Sequence, residues 1–348
     1  MNLDQRVKVF SQLGKILSSY AVSQDWPGYK LGLSQNEYDK LNKIIKKAKQ
    51  HNGWFDETNV RHAFGSLGEM LREDKLIQWL SNYSISSTKS KTVAVIMAGN
   101  IPLVGFHDFL CVLMAGHKIQ IKLSSEDNLL LPAIIDIIKQ LSPDFESYIQ
   151  IVNKLENFDA VIATGSNNSA MYFESYFSKY PHIIRKNRTS ISILNGNETE
   201  EQLKGLAKDI FQFYGLGCRN VTKVYIPENY DLDTLFGALY HWKHVTENNK
   251  YANNYDYNKA VYLMNREELI ENGFLLLKEE TAIHSPLAVL FYERYKDEDN
   301  LRASLENKKE EIQCIVSLKD VPFGKAQHPA LHDYADGIDT MEFLTTLK

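Results

Sequence analysis

Apolar residues return at helical spacing through the first part of the chain. Val7, Phe10, Leu13, Ile16 and Leu17 share one face, as do Leu41, Ile44, Ile45 and Ala48, the pattern of amphipathic helices. Trp26-Pro27-Gly28 and Asn52-Gly53 break these runs. A further helix is expected over residues 60–79, then a polar linker over 81–91. From Lys91 the pattern changes to short, β-branched apolar runs alternating with helical ones. Strands are expected at 92–97, 119–123, 148–152, 160–163 and 190–194, and helices at 106–115, 129–141 and 167–177. A helix at 203–214 leads into a strand at 221–226, and a helix follows at 232–244. Next come a strand at 260–264, a short helix at 266–271, strands at 274–277 and 287–292, a helix at 300–311 and a strand at 312–316. Strands and helices alternating at this spacing indicate α/β layers with mostly parallel sheets.

This pattern suggests two α/β domains that part near Gly196. The expected division is a helical N-terminal region, 1–90, packed on a first α/β domain, 91–195. A second α/β domain spans 196–320, and a closing tail spans 321–348. A length of 348 residues fits two domains.

Composition narrows the function. With 44% hydrophobic and 24% charged residues the chain can bury a large core. A net charge of −5 gives no electrostatic case for nucleic acid or an anionic membrane. The opening MNLDQRVKVF lacks the apolar core of a signal peptide, and no apolar run reaches membrane-spanning length. Cys111, Cys218 and Cys314 are odd in number and far apart, which argues against a disulfide framework. The expectation is a cytoplasmic protein with reduced thiols.

Of the three cysteines, Cys111 and Cys314 fall within apolar runs and are expected in the core. Cys218 instead follows Gly215-Leu216-Gly217, between a helix and a strand. Such a turn gives a thiol the access that a nucleophile needs, and Arg219 adds positive charge beside it. The first strand runs into Ala98-Gly99-Asn100. A side-chain amide at the carboxyl end of a parallel strand can stabilise a developing oxyanion. Thr164-Gly165-Ser166 joins a strand to a helix, where a capping serine and free N–H groups suit a phosphate. No Cys-x-x-Cys or His-Glu-x-x-His motif occurs, and no metal site is expected.

Together these segments resemble the aldehyde dehydrogenase superfamily, and more narrowly its fatty acyl-CoA reductases of the bacterial bioluminescence type. The segments that carry the resemblance are VAVIMAGNIP (93–102), AGHKIQIKLSS (115–125), DAVIATGS (159–166), FQFYGLGC (211–218) and VPFGK (321–325) continuing to YADGID (334–339). They stand in family order and cover the chain from about Lys91. The resemblance implies Cys218 as nucleophile and Asn100 as oxyanion donor. Ala98, Lys122, Ser124, Ser125, Thr164, Gly165 and Ser166 would be cofactor contacts, with Lys122 on the adenosine ribose. Two departures matter. Residues 183–188 (IIRKNR) have no carboxylate where hydrolytic relatives carry a general-base Glu. Ala282 stands where a Glu usually meets the nicotinamide ribose.

The function implied is NAD(P)H-dependent reduction of an acyl-CoA, or acyl-carrier thioester, to an aldehyde through a thioester on Cys218. The alternatives are a Cys-dependent acyltransferase or thioesterase without hydride transfer, and a non-catalytic scaffold of the same fold. Neutral Ser125, three residues after Lys122, points to NADPH, with NADH as the second choice. A homo-oligomer is left open.

Overall fold

The computed structural model describes residues 1–22, 25–85 and 90–347. The chain forms two compact units, Met1–Lys186 together with Pro329–Lys348, and Asn187–His328.

Unit 1 opens with α1 (Leu3–Val22), α2 (Gln35–His51), α3 (Glu57–Met70) and α4 (Glu73–Leu80). Ser34 and Glu37 form a reciprocal capping box on α2, and Asp56 caps α3, satisfying N–H groups that a helix start leaves open. The helix expected over 60–79 is thus two helices. Leu71 and Arg72 interrupt it, and Glu73 and Asp74 supply the acidic first turn that favours a new start. Residues 86–89 of the expected polar linker lie outside the described residues.

The α/β part of unit 1 comprises β1 (Thr92–Ile96), α5 (Phe106–Met114), β2 (Lys118–Lys122), α6 (Leu130–Leu141), β3 (Ile149–Ile151), β4 (Ala160–Thr164), α7 (Asn167–Phe177) and β5 (His182–Arg185). The five strands form one sheet in the order β3-β2-β1-β4-β5, all parallel. Strand β5 does not emerge from the sequence pattern, because only Ile183 and Ile184 are apolar in it. Along β1, side chains alternate between two cores. Val93 and Val95 join the helical N-terminal region in one cluster, whereas Ala94 packs with Val161, Ala170 and Phe177 in another. This is the period-two alternation of a strand covered on both faces.

Unit 2 contains β6 (Thr189–Ile193), α8 (Glu200–Phe211), β7 (Val221–Pro227), α9 (Leu232–Leu239), α10 (Asn249–Met264), β8 (Ile270–Glu271), β9 (Leu276–Glu279), β10 (Val289–Tyr295), α11 (Glu298–Leu305) and β11 (Ile312–Val316). Its six-stranded sheet has the order β11-β6-β7-β10-β9-β8, parallel except for the β8–β9 pair. Strand β6 pairs with β7 and β11, so the division between sheets falls ahead of β6 rather than near Gly196. Two further expectations fail here. Residues 260–264 are the end of α10, not a strand, and Leu263 and Met264 are 57% and 84% exposed. Asn248 caps this helix, which buries Tyr251, Tyr255 and Asn258 at helical spacing. The short helix expected at 266–271 is replaced by a turn at Arg266 (φ +57°) that leads into β8 at 270–271. The helix expected at 232–244 stops at Leu239, and a 3-10 stretch, Tyr240–Glu247, continues it. The tail then returns to unit 1 as α12 (Thr340–Thr345).

Candidate active site

The residues expected at a cofactor gather on one edge of the unit 1 sheet. Strands β1, β2 and β4 are adjacent and parallel, so their carboxyl ends lie together. Ala98 and Asn100 follow β1; Lys122 ends β2, with Ser124 and Ser125 just beyond; Thr164 ends β4, followed by Gly165 and Ser166. The strand order reverses between β1 and β4, which is the switch-point crevice where such sheets bind ligands. Asn100, Lys122, Ser125 and Ser166 are exposed there. Lys122 makes no ion pair among the described residues. Ser166 caps α7 by accepting the Ser169 N–H at 3.2 Å, and the first turn of that helix supplies further N–H donors.

This edge is tightly built. A Cβ on Gly99 would stand 2.7 Å from Ser124 Oγ and 3.0 Å from the Asp127 nitrogen, so only glycine lets the β1 and β2 loops meet this closely. Asp127 is buried and accepts the Leu103 N–H at 2.8 Å, bracing the left-handed Leu103 (φ +59°). Burial pushes its carboxyl up to about 6. The crevice therefore offers an exposed cation, hydroxyls and a helix N-terminus, and its residues fit a dinucleotide phosphate backbone.

Cys218 belongs to unit 2, on the turn that enters β7. Helix α8 ends at Phe211, and Phe213, Tyr214 and Gly215 all adopt left-handed backbone conformations (φ +53°, +58° and +80°). Left-handed non-glycine residues cost about 1–2 kcal/mol each, so other contacts must hold this turn. Buried Asn220 does so. Its Nδ2 donates to the carbonyls of Asp209, Ile210 and Gln212 at 3.0, 3.2 and 2.9 Å. These are acceptors that the broken helix end leaves open. Its Oδ1 accepts the Gly217 N–H at 2.8 Å. Ser190 Oγ donates to the Cys218 carbonyl at 3.1 Å. Cys218 itself is half-buried.

Arg219, expected beside the thiol, sends its Nε to the Ala326 carbonyl. Asp209 accepts the N–H groups of Gly324 and Ala326 at 2.6 and 3.0 Å. Burial lifts this carboxyl to about 6, against two backbone hydrogen bonds and the opposing charge of Arg219. The 321–325 segment thus docks on α8, where a Cβ on Gly205 would lie 2.8 Å from the Phe323 carbonyl carbon. Of the other cysteines, Cys111 is fully buried as expected, and burial raises its thiol pKa. Cys314 departs from expectation. It is half-buried, with Sγ 3.1 Å from Ser190 Oγ.

Asn220, Asp209, Ser190 and Asp127 were not singled out from the sequence. Only Asn220 left a signal there, as an amide two residues after a cysteine in a glycine-rich turn. Within 183–188, the stretch without a carboxylate, β5 carries Arg185. Arg185 is held to Asp108 by hydrogen bonds of 2.7 and 3.3 Å, and to Thr340 Oγ1 at 2.8 Å.

Close to the Cys218 turn, unit 2 encloses a cleft of about 230 Å³. Tyr214, Gly215 and Leu216 line it before the cysteine, Val221 and Thr222 after it, and residues 284–289 opposite.

A family model described as acyl-CoA reductase (LuxC) matches residues 33–236. The long-chain acyl-protein thioester reductase of Aliivibrio fischeri is 24% identical over 315 residues, 80% of this chain. The chain spans 63% of the length of that curated relative. Among solved structures, aldehyde dehydrogenase 21 from Physcomitrella patens superposes with a TM-score of 0.65 at 12% identity, covering 88% of this chain and 71% of that one. The NAD-dependent aldehyde dehydrogenase of Sinorhizobium meliloti gives 0.65 at 11% identity, covering 91% and 71%. These neighbours show an aldehyde dehydrogenase-like fold.

Proposed function

Because this chain belongs to the LuxC family of acyl-CoA reductases, we propose that it converts an acyl-CoA or acyl-carrier thioester to an aldehyde through an acyl-thioester on Cys218. The observation that carries this reading is the turn around Cys218, a strained helix-to-strand turn braced by a buried asparagine. Strain of this kind collects at functional sites.

The Cys218 thiolate attacks the acyl carbonyl carbon, and the bond to the carrier sulfur breaks to release a thiolate. One thioester replaces another, so the exchange is close to balanced in energy. The Asn100 amide and the Cys218 N–H stabilise the tetrahedral oxyanion. No water is activated, in keeping with the lack of a carboxylate in 183–188. Lys122, Ser124, Ser125 and the Thr164–Ser166 turn would hold a reduced nicotinamide dinucleotide, whose chemistry would be to supply a hydride to the acyl carbon; Cys218 would then depart as its thiolate and leave the aldehyde. Ser124 and Ser125 beside Lys122 favour a 2′-phosphate, and hence NADPH over NADH.

The test withholds the nucleotide. Incubated with an acyl-CoA alone, the protein gains one acyl group on Cys218, read by intact mass and peptide mapping. NADPH then removes the adduct and releases aldehyde, more efficiently than NADH does. Cys218→Ala abolishes both steps, and Asn100→Ala slows acylation about 10²- to 10³-fold. Acylation without nicotinamide consumption would make the chain an acyltransferase or thioesterase, and an unlabelled Cys218 would leave only a scaffold.

A further inference from the structure

The cleft in unit 2 shares its walls with the turn that carries Cys218. Leu216 and Val221, two and three residues from Cys218, both line it. Consecutive Cα atoms are 3.8 Å apart, so Leu216 lies within about 8 Å of Cys218 along the backbone. A group attached to the thiol is therefore within reach of the cleft.

The chemistry of the lining selects what can fill it. Three of its hydroxyls are turned away onto the protein's own backbone. Thr222 Oγ1 donates to the Ile283 carbonyl at 3.1 Å, Ser285 Oγ to the Val289 carbonyl at 2.6 Å, and Tyr251 OH to the Phe274 carbonyl at 3.0 Å. The remaining walls are the rings and alkyl groups of Phe211, Tyr214, Leu275 and Leu287, with His284 exposed. A carboxamide-bearing ring placed here would find few side-chain partners, whereas a hydrocarbon needs none. The space is ample. A hydrocarbon-lined cavity of about 150 Å³ binds benzene, and this cleft of about 230 Å³ is larger.

We propose that this cleft receives the straight aliphatic chain of the group carried by Cys218, and so sets chain-length preference. This rests on Cys218 being the acylated residue, but it can be tested without reductase turnover. The full-length protein is treated with S-alkyl methanethiosulfonates from methyl to octyl, and the rate of modification of Cys218 is followed by peptide mapping. Glutathione serves as the free-thiol reference.

The rate on Cys218 is expected to rise by up to roughly fourfold per added methylene, beyond any trend for glutathione, and then to level off. Leu287→Trp, which fills the cleft from its half-buried wall, flattens the rise. Leu287→Ala moves the plateau to longer chains. A slope equal to that of glutathione, or one unchanged in both variants, overturns the proposal. So does a Leu287→Trp effect confined to NADPH affinity, which would give the cleft to the dinucleotide. The reductase reading is judged separately, by acyl-CoA-dependent NADPH consumption. A cleft-dependent thiol rate without aldehyde would reject that reading and keep this one.

Discussion

At the scale of single residues, Cys218 supplies the thiol and Asn220 the geometry. Removing the Asn220 amide takes its two N–H hydrogens from the carbonyls they share and its oxygen from the Gly217 N–H. Each buried group stranded in this way costs about 1–3 kcal/mol. Asn220→Ala is therefore expected to lower stability by at least about 2 kcal/mol in denaturant titration, and to slow acylation of Cys218. Unchanged acylation would remove Asn220 from any positioning role. Cys218 was legible because glycines on both sides of Leu216 mark a turn. Asn220 left only its place two residues after the cysteine, because its partners come together only once α8 stops at Phe211. Asp127 gives a second prediction. Its folded-state pKa is raised to about 6 from the ordinary 3.8 by burial, so its contribution is full below about pH 4 and is lost as pH rises through about 6. That step is worth about 3 kcal/mol. Asp127→Asn keeps an acceptor for the Leu103 N–H without the charge. The stability advantage of the native protein over this variant should shrink by up to that amount between pH 4 and 7, and a constant difference would refute it.

At the scale of elements, β1 to β4 of unit 1 could be read from the chain because each is a short apolar run ended by a turn signal, whereas β5 could not. Helix α10 could not. Its buried residues are two tyrosines and an asparagine, and its most apolar stretch, 260–264, lies partly on the surface. Hydrophobic pattern alone therefore assigned the wrong period. Close approaches between helices were equally hidden. In α3, a Cβ on Gly68 would come within 2.9 Å of the Gly14 carbonyl oxygen and 3.0 Å of the Ser18 nitrogen, both on α1. Backbone cannot yield as a side-chain tip can. Gly68→Ala is expected to push α1 and α3 apart and to lower stability by about 1–3 kcal/mol, read as a lower denaturation midpoint. An unchanged midpoint would mean that the two helices adjust freely.

At the scale of the whole molecule, the order of the motifs was visible in the sequence, but not the path of the chain between units. The tail was expected as one closing segment. Instead 321–325 docks on α8 in unit 2, and the part from Pro329 onward completes unit 1. The reason is a set of buried polar groups whose partners lie more than a hundred residues away. Trp79 Nε1 donates to Tyr334 OH at 2.8 Å, and Tyr83 OH donates to Asp339 at 2.7 Å. The rings of His107 and His117 meet the carbonyls of Leu331 and Leu344 at 3.0 and 2.9 Å. Arg185 donates to the Ala335 carbonyl and to Thr340. Deleting the chain from Pro329 would strand the partners left behind, Trp79, Tyr83, His107, His117 and Arg185, and uncover the part of the apolar core that Met341 and Leu344 pack against. At about 1–3 kcal/mol for each stranded group, the loss rivals the 5–15 kcal/mol that a domain has in total. The deletion is therefore expected to unfold unit 1, whereas unit 2 contains none of these partners. Hydrogen exchange distinguishes the outcomes. Amides of β1, β2 and β4 should lose protection while those of β6, β7 and β10 keep theirs, and retained protection in β1 would show that unit 1 does not depend on its returning tail.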